Sequence, residues 1–357
     1  MSVLGARAAA VRETIAELCE SPPAAADLIE TVAARVRSVV PYDRGAWMIT
    51  DPATLLPTTI LSVDATPELH HAFTEVELGN RDSIHSFDAL SRASQPVSSL
   101  SLATGGDLRA SRRFREVHRR FGLGDELRAV ARSANATWGM GCINRADDVR
   151  AFSAEEVRFV ATIAQHLGPG LRRALAHRPA NAEPLRAPGM LVLDEHMAIE
   201  ASTGEAERWL QTLQSTFPGA LPTPIVMAAM QAQANSATAS TQHPARLRLP
   251  LPGGGWLLVH ADALKGAGVA EGRVAVVLEP ANHAELMPLL LALHGLTERE
   301  RDVTELIVAG LGTDEIAARL HISRHTLRDH VKVIFAKVGV SSRPGLTAAL
   351  APEPVAA

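Results

Sequence analysis

Residues 296–350 are punctuated like a run of short helices, and that punctuation constrains the chain more tightly than any other feature. Thr297 and Glu300 have the Thr-x-x-Glu spacing of a capping box, and Val303, Leu306 and Ile307 then recur at helical intervals until Gly310 stops the run. Thr313 is placed to cap a second helix, with Asp314 and Glu315 in the first turn, where carboxylates oppose the positive end of the helix dipole. Ile316, Ala317 and Leu320 form its inner face, and His321 and Ile322 the turn that follows. Ser323 caps a third helix that runs to about Val338 and is closed by Gly339.

At about 100° per residue, Leu327, Val331, Ile334 and Val338 of the third helix fall within an arc of about 60°, which must pack on the first two helices. His325, Arg328, Asp329 and Lys332 lie opposite, and Thr326, His330 and Lys337 flank the apolar stripe. Charge is polarised along the module. Residues 296–318 hold Glu298, Glu300, Asp302, Glu305, Asp314 and Glu315 against Arg299 and Arg301. Residues 319–343 reverse this, with Arg319, Arg324, Arg328, Lys332, Lys337 and Arg343 against Asp329, a balance of about +5 that suits a polyanion.

These residues, LTERERDVTELIVAGLGTDEIAARLHISRHTLRDHVKVIFAKVGVSSR, resemble the DNA-binding domain of LuxR-type regulators. The resemblance implies a tetrahelical helix-turn-helix domain over residues 295–357 that binds double-stranded DNA, with the third helix in the major groove. It places Arg328, Asp329 and Lys332 at base edges, and Thr313, Ser323, Arg324, His325, Thr326, His330 and Lys337 near the phosphate backbone. Leu327 stands where the family usually has Val, and the acidic Asp329 suits acceptance from a cytosine amino group or a water. The family's fourth helix, often a dimer contact, falls at about residues 344–350, where Pro344 suits a first helical position and Gly345 weakens the helix. A homodimer is the expected state.

The remainder of the 357 residues has room for one or two more domains. The net charge of −4 confines nucleic-acid binding to a local patch, and 46% hydrophobic with 21% charged residues is ordinary for a globular chain. No stretch approaches the roughly 20 apolar residues that cross a bilayer, and Arg7, Arg12, Glu13 and Glu17 interrupt the start, so no membrane partner and a cytoplasmic location are expected. Cys19 and Cys142 stand far apart, which argues against a disulfide framework or a structural zinc site. The 14 histidines show no metal-ligand spacing, and adjacent His70 and His71 would point apart on a helix.

Residues 1–176 read as one α+β domain. Residues 24–40 are an amphipathic helix through Leu28, Val32, Val36 and Val39, followed by strands at 45–50 and 58–63. Helices are expected around 70–77 and 108–121, and paired strands at 125–132 and 136–145. Ser153 and Glu156 open a long helix striped by Val157, Val160, Ala164, Leu167, Leu171 and Leu175, which Gly168-Pro169-Gly170 should bend or divide. Through WGMGCINRADDVRAFSAEEVRFVATIAQHLGPGLRRAL this region resembles a GAF-type sensor domain. Such a fold often holds a small ligand between sheet and middle helices, so the resemblance leaves room for a small-molecule effector without calling for a cofactor. Trp47, Phe73, His85, Phe87, Phe114 and Trp138 are the candidate pocket residues, with core packing the competing use of each. Cys142 reads as a small buried hydrophobe.

Residues 177–188, with three prolines, read as a linker. Beyond it, strands at 189–193 and 199–202, a helix at 204–213, a low-complexity loop at 231–243 and strands at 246–250, 256–261 and 272–279 make a second antiparallel domain over 189–281. Gly253-Gly254-Gly255 reads as a hairpin turn, since no Lys-Ser/Thr accompanies it as in a phosphate loop. MLVLDEH and RVAVVLEP give this region a resemblance to a reduced PAS-like domain. Residues 282–294 are an apolar connector helix.

The expectation is therefore a regulated DNA-binding transcription factor without catalytic residues. The alternatives are a small-molecule hydrolase using an Asp/His pair, for which no nucleophile elbow or metal motif is present, and a partner-binding protein with weak, non-specific DNA affinity.

Overall fold

The computed structural model describes residues 3–79, 82, 84–176, 187–214, 221–239, 243–251, 255–266 and 270–350. Most of the expected linker at 177–188 and of the glycine turn at 253–255 lies outside them.

The first domain runs α1 (Val3–Glu20), α2 (Ala25–Arg37), β1 (Arg44–Thr50), β2 (Pro57–Val63), α3 (Pro67–Leu78), α4 (Phe87–Arg92), β3 (Val97–Ser99), α5 (Leu100–Ala103), α6 (Arg112–Glu116), β4 (Leu123–Ser133), β5 (Ala136–Ala146) and α7 (Ala154–Ala176). Its sheet has the order β2-β1-β5-β4-β3, antiparallel throughout. Because side chains alternate across a strand, sequence parity sorts the two faces. Trp47, Ile49, Leu127, Ala129 and Ile143 pack with Val160, Ile163, Leu167 and Leu171 of α7. Each of those four α7 side chains contributes about 1.5–3 kcal/mol of transfer free energy. Met48, Val130, Met140 and Cys142 face the other way, toward Phe87 and Leu90.

Helix α7 is continuous, with Pro169 inside it, rather than divided. Its glycines serve close approach instead. A Cβ on Gly168 would lie 2.3 Å from the Arg132 carbonyl oxygen of β4, and one on Gly170 would lie 2.8 Å from Cys19 Sγ of α1. Residues 108–121 are not one helix. Asp107 and Ser111 accept the amide N–H groups of Arg109 and Phe114, which restarts the chain as 3-10 turns around the short α6. The first helix, α1, was not foreseen; among its described side chains only Val11, Ile15 and Cys19, one per turn, are buried.

The second domain runs β6 (Gly189–Leu193), β7 (Ile199–Ser202), α8 (Gly204–Gln214), α9 (Thr223–Thr238), β8 (Arg246–Pro250), β9 (Trp256–Ala263) and β10 (Val274–Pro280). Its sheet order, β7-β6-β10-β9-β8, repeats that of the first domain strand for strand. The loop expected at 231–243 is corrected: α9 continues to Thr238 because Met230, Gln231 and Ala232 are buried. Polar low complexity suggested a loop, but Ala and Gln are good helix formers and burial supplies the rest. Asp51 of the first domain and Arg248 of β8 form a buried two-pronged ion pair, at 2.6 Å and 2.9 Å.

The C-terminal region runs α10 (His283–Leu293), α11 (Glu298–Val308), α12 (Thr313–Arg319), α13 (Arg324–Val338) and α14 (Arg343–Leu350). Two antiparallel-sheet domains followed by an all-α module make an α+β chain. No helix among the described residues is long and apolar enough to cross a membrane.

Candidate nucleic-acid interface

The helical module is assembled from caps inward. Thr297 and Glu300 complete a reciprocal capping box at the start of α11. The second cap differs from the sequence reading: Gly312 is the cap residue of α12, and Glu315 accepts its N–H at 2.7 Å. Thr313 instead begins the helix, and its hydroxyl accepts a hydrogen bond from Arg343. His321 takes the left-handed backbone, φ 53°, that turns the chain between α12 and α13. Ser323 caps α13, accepting the Thr326 N–H at 3.0 Å, and Gly339 closes it at φ 78°. Gly345 does not prevent α14, since its N–H donates to Ser342 Oγ and Leu346 and Leu350 are buried.

Leu327 and Ile334 of α13 are fully buried among Val303, Ile307, Ile316 and Leu346. That packing turns the opposite face outward. Ser323, Arg324, His325, Thr326, Arg328, Asp329 and Lys332 are exposed there, and His330 is half-buried. Arg328 and Lys332 make no ion pair or hydrogen bond among the described residues, so their charges are presented to solvent. Asp329 lies 3.8 Å from His325 one turn earlier, and Arg324 pairs with Asp314 across the turn at 2.5 Å.

Lys337 is exposed on α13 and also makes an ion pair within the module. Its ammonium donates to Glu300 at 2.6 Å and to the Gly295 carbonyl at 3.2 Å, joining α13 to the entry of α11. Burial alone would raise the Glu300 carboxyl, but Lys337 and the Thr297 N–H hold it below the usual carboxylate range. Lys337→Ala is therefore expected to lower the melting temperature. Loss of a phosphate contact would also reduce the slope of log K against log salt by about one.

Helix α10 belongs to two cores. Leu286, Leu289 and Leu293 pack with the first domain, and Met287 and Leu291 pack in the helical module. The carbonyl of Leu293 accepts from Arg172 of α7 at 2.6 Å, and Arg301 of α11 donates to Ala134 in the β4–β5 turn. Arg248 donates to the Glu285 carbonyl in the first turn of α10. Sequence reasoning gave none of these three arginines an interdomain contact, because their partners are distant in the chain.

Of the six candidate pocket residues, Phe73 and Phe87 line a cavity of about 140 Å³. Trp47 and Trp138 pack in the α7 core instead, Trp47 donating to Tyr42 and Trp138 to the Ser133 carbonyl. His85 is buried against the Ser98 carbonyl, and Phe114 stacks edge-on against His118. Behind the cavity lies a charge network that was also missed. Glu126 accepts from Arg113 Nε at 2.9 Å, Arg128 Nε at 3.0 Å and Cys142 Sγ at 2.9 Å. Charged residues at alternate positions of an apolar strand, Glu126 and Arg128, were the available signal. Burial and the neighbouring Glu126 push the Cys142 thiol up, which keeps it protonated. No group of three metal-ligating side chains occurs among the described residues.

Residues 294–350 match the family described as bacterial regulatory proteins, luxR family. The spore germination protein GerE of Bacillus subtilis is 48% identical over 48 residues, 13% of this chain and 65% of that protein. The HTH-type transcriptional regulator MalT of Cronobacter sakazakii is 37% identical over 62 residues, 17% of this chain and 7% of that protein. The chain thus spans less than two thirds of either relative. Among solved structures, the GAF domain of an Acinetobacter phosphoenolpyruvate-protein phosphotransferase is 14% identical, with a TM-score of 0.32, over 50% of this chain and 99% of that one. Escherichia coli SdiA is 11% identical, with a TM-score of 0.35, over 95% and 94% of the two chains. The family match is confined to the C-terminal helical module.

Proposed function

From a chain whose C-terminal residues form a LuxR-family helix-turn-helix domain, we propose a dimeric, sequence-specific transcriptional regulator of the cytoplasm whose DNA binding is controlled by the two N-terminal domains. In this reading Arg328, Asp329 and Lys332 meet base edges in the major groove. Thr313, Ser323, Arg324, His325, Thr326, His330 and Lys337 lie toward phosphates, Lys337 while paired with Glu300. The carrying observation for control is α10, which packs Leu286, Leu289 and Leu293 on the first domain and Met287 and Leu291 in the core under the recognition helix. Two arrangements of α10 would therefore bias two arrangements of the DNA-reading face.

Selection of bound duplexes from a random pool by the full chain tests the DNA part. An inverted repeat with half-sites about one helical turn apart is the expected result. Enrichment of a single half-site would remove the dimer, and no enrichment would remove sequence specificity.

A further inference from the structure

The even-numbered face of the first sheet is roofed by the second domain. The cavity of about 140 Å³ is floored by Met48 and Met140, walled by Leu69 and Phe73 of α3, and closed by Met227 and Gln231 of α9. Its volume is close to the roughly 150 Å³ of a dry apolar cavity that admits benzene. One end is polar. Asn144 of β5 is 2% exposed and its Oδ1 accepts no hydrogen bond among the described residues. Arg128, 1% exposed, directs Nε to Glu126 and Nη1 to Glu77 and the His85 carbonyl. Its Nη2 has no acceptor among the described residues. Both side chains line the cavity.

We propose that this interdomain cavity binds a small uncharged ligand, apolar over most of its surface and carrying one hydroxyl or carboxamide. Such a group donates to Asn144 Oδ1, a buried acceptor that a purely apolar ligand leaves unmet, and accepts from Arg128 Nη2. A carboxylate is disfavoured. The guanidiniums of Arg113 and Arg128 are already matched by Glu77 and Glu126, so a further buried anion would go uncompensated. The ligand touches both the first sheet and α9, and so reports its presence to the packing between the domains. This inference deepens the proposed control by the N-terminal domains and rests on it for its purpose, not for its chemistry.

Calorimetric titration of the full chain with phenol, toluene and benzoate tests the chemistry without reference to DNA. Phenol should bind saturably and at least about tenfold more tightly than either comparator, the worth of one to two net hydrogen bonds. Asn144→Leu should abolish the preference for phenol over toluene, and Asn144→Ala serves the same purpose should the leucine variant fail to fold. Amide exchange in α9 should slow when phenol is bound. Benzoate binding as tightly as phenol would overturn the uncharged class, and toluene doing so would overturn the polar end. Absence of saturable binding by all three would remove the site, and phenol binding without protection of α9 would remove its interdomain character. Phenol binding with unchanged affinity for a selected DNA would instead remove the control reading and leave the site standing.

Discussion

The Arg328→Ala, Lys332→Ala double variant is expected to lose its preference for a selected site over random DNA, by roughly 2 to 6 kcal/mol at about 1–3 kcal/mol for each base-reading side chain. Both side chains are exposed on the face of α13 opposite Leu327 and Ile334. Neither has a partner among the described residues, so their removal should leave the melting temperature within about a degree of the parent's. The measurement is the ratio of Kd values for selected and random duplexes at several fixed salt concentrations, because phosphate contacts alone make both affinities fall with salt. An equal loss on both DNAs would place the two cations at phosphates. An unchanged ratio would sink the assignment of this face to base reading. The two positions are one turn apart, so the single variants need not sum to the double.

Glu126→Gln should be the most damaging single substitution in the first domain, costing about 3–5 kcal/mol as the loss of one partner in a buried charge cluster. Burial by itself would raise the Glu126 carboxyl, yet Arg113 and Arg128 hold it well below the ordinary carboxylate range. Its contribution to stability is thus fully present above the unfolded-state value of about 4.3 and is lost as pH falls through the lower folded-state value. Urea midpoints of parent and variant should differ most near pH 7 and converge on acidification below about pH 4. A constant difference down to the acid limit would mean that the carboxylate charge is not what stabilises the network. Replacing Arg113, Glu126 and Arg128 together by apolar residues of similar size should recover much of the loss, since the desolvation cost goes with the charges.

Legibility in the sequence followed the range of the interaction concerned. The caps at Thr297, Ser323 and Ser153, the Gly339 stop and the α7 stripe were readable because each involves partners within four residues or one helical face. Apart from β3, the strands of both sheets were readable within a residue or two from alternation and turn residues. What escaped was short or weakly patterned: β3 at three residues, α1 with one buried side chain per turn, and α9, whose Ala/Ser/Thr/Gln-rich second half read as a loop. Thr313 was a near miss of one position, because a glycine cap offers no side chain to recognise.

The candidate site divides along the same line. Sequence by itself determined that three capped helices would form, that Leu327 and Ile334 would face inward, and hence that Arg328 and Lys332 would face outward, since helical geometry fixes both faces at once. Only the tertiary structure decided which basic residues are engaged internally. Lys337 finds Glu300 across 37 residues, and Arg248 finds Asp51 across 197. It also decided that α10 serves two cores and that α9 closes a cavity on the first sheet. Those outcomes depend on where distant segments pack, and periodicity along the chain carries no record of the surface that a helix face will meet.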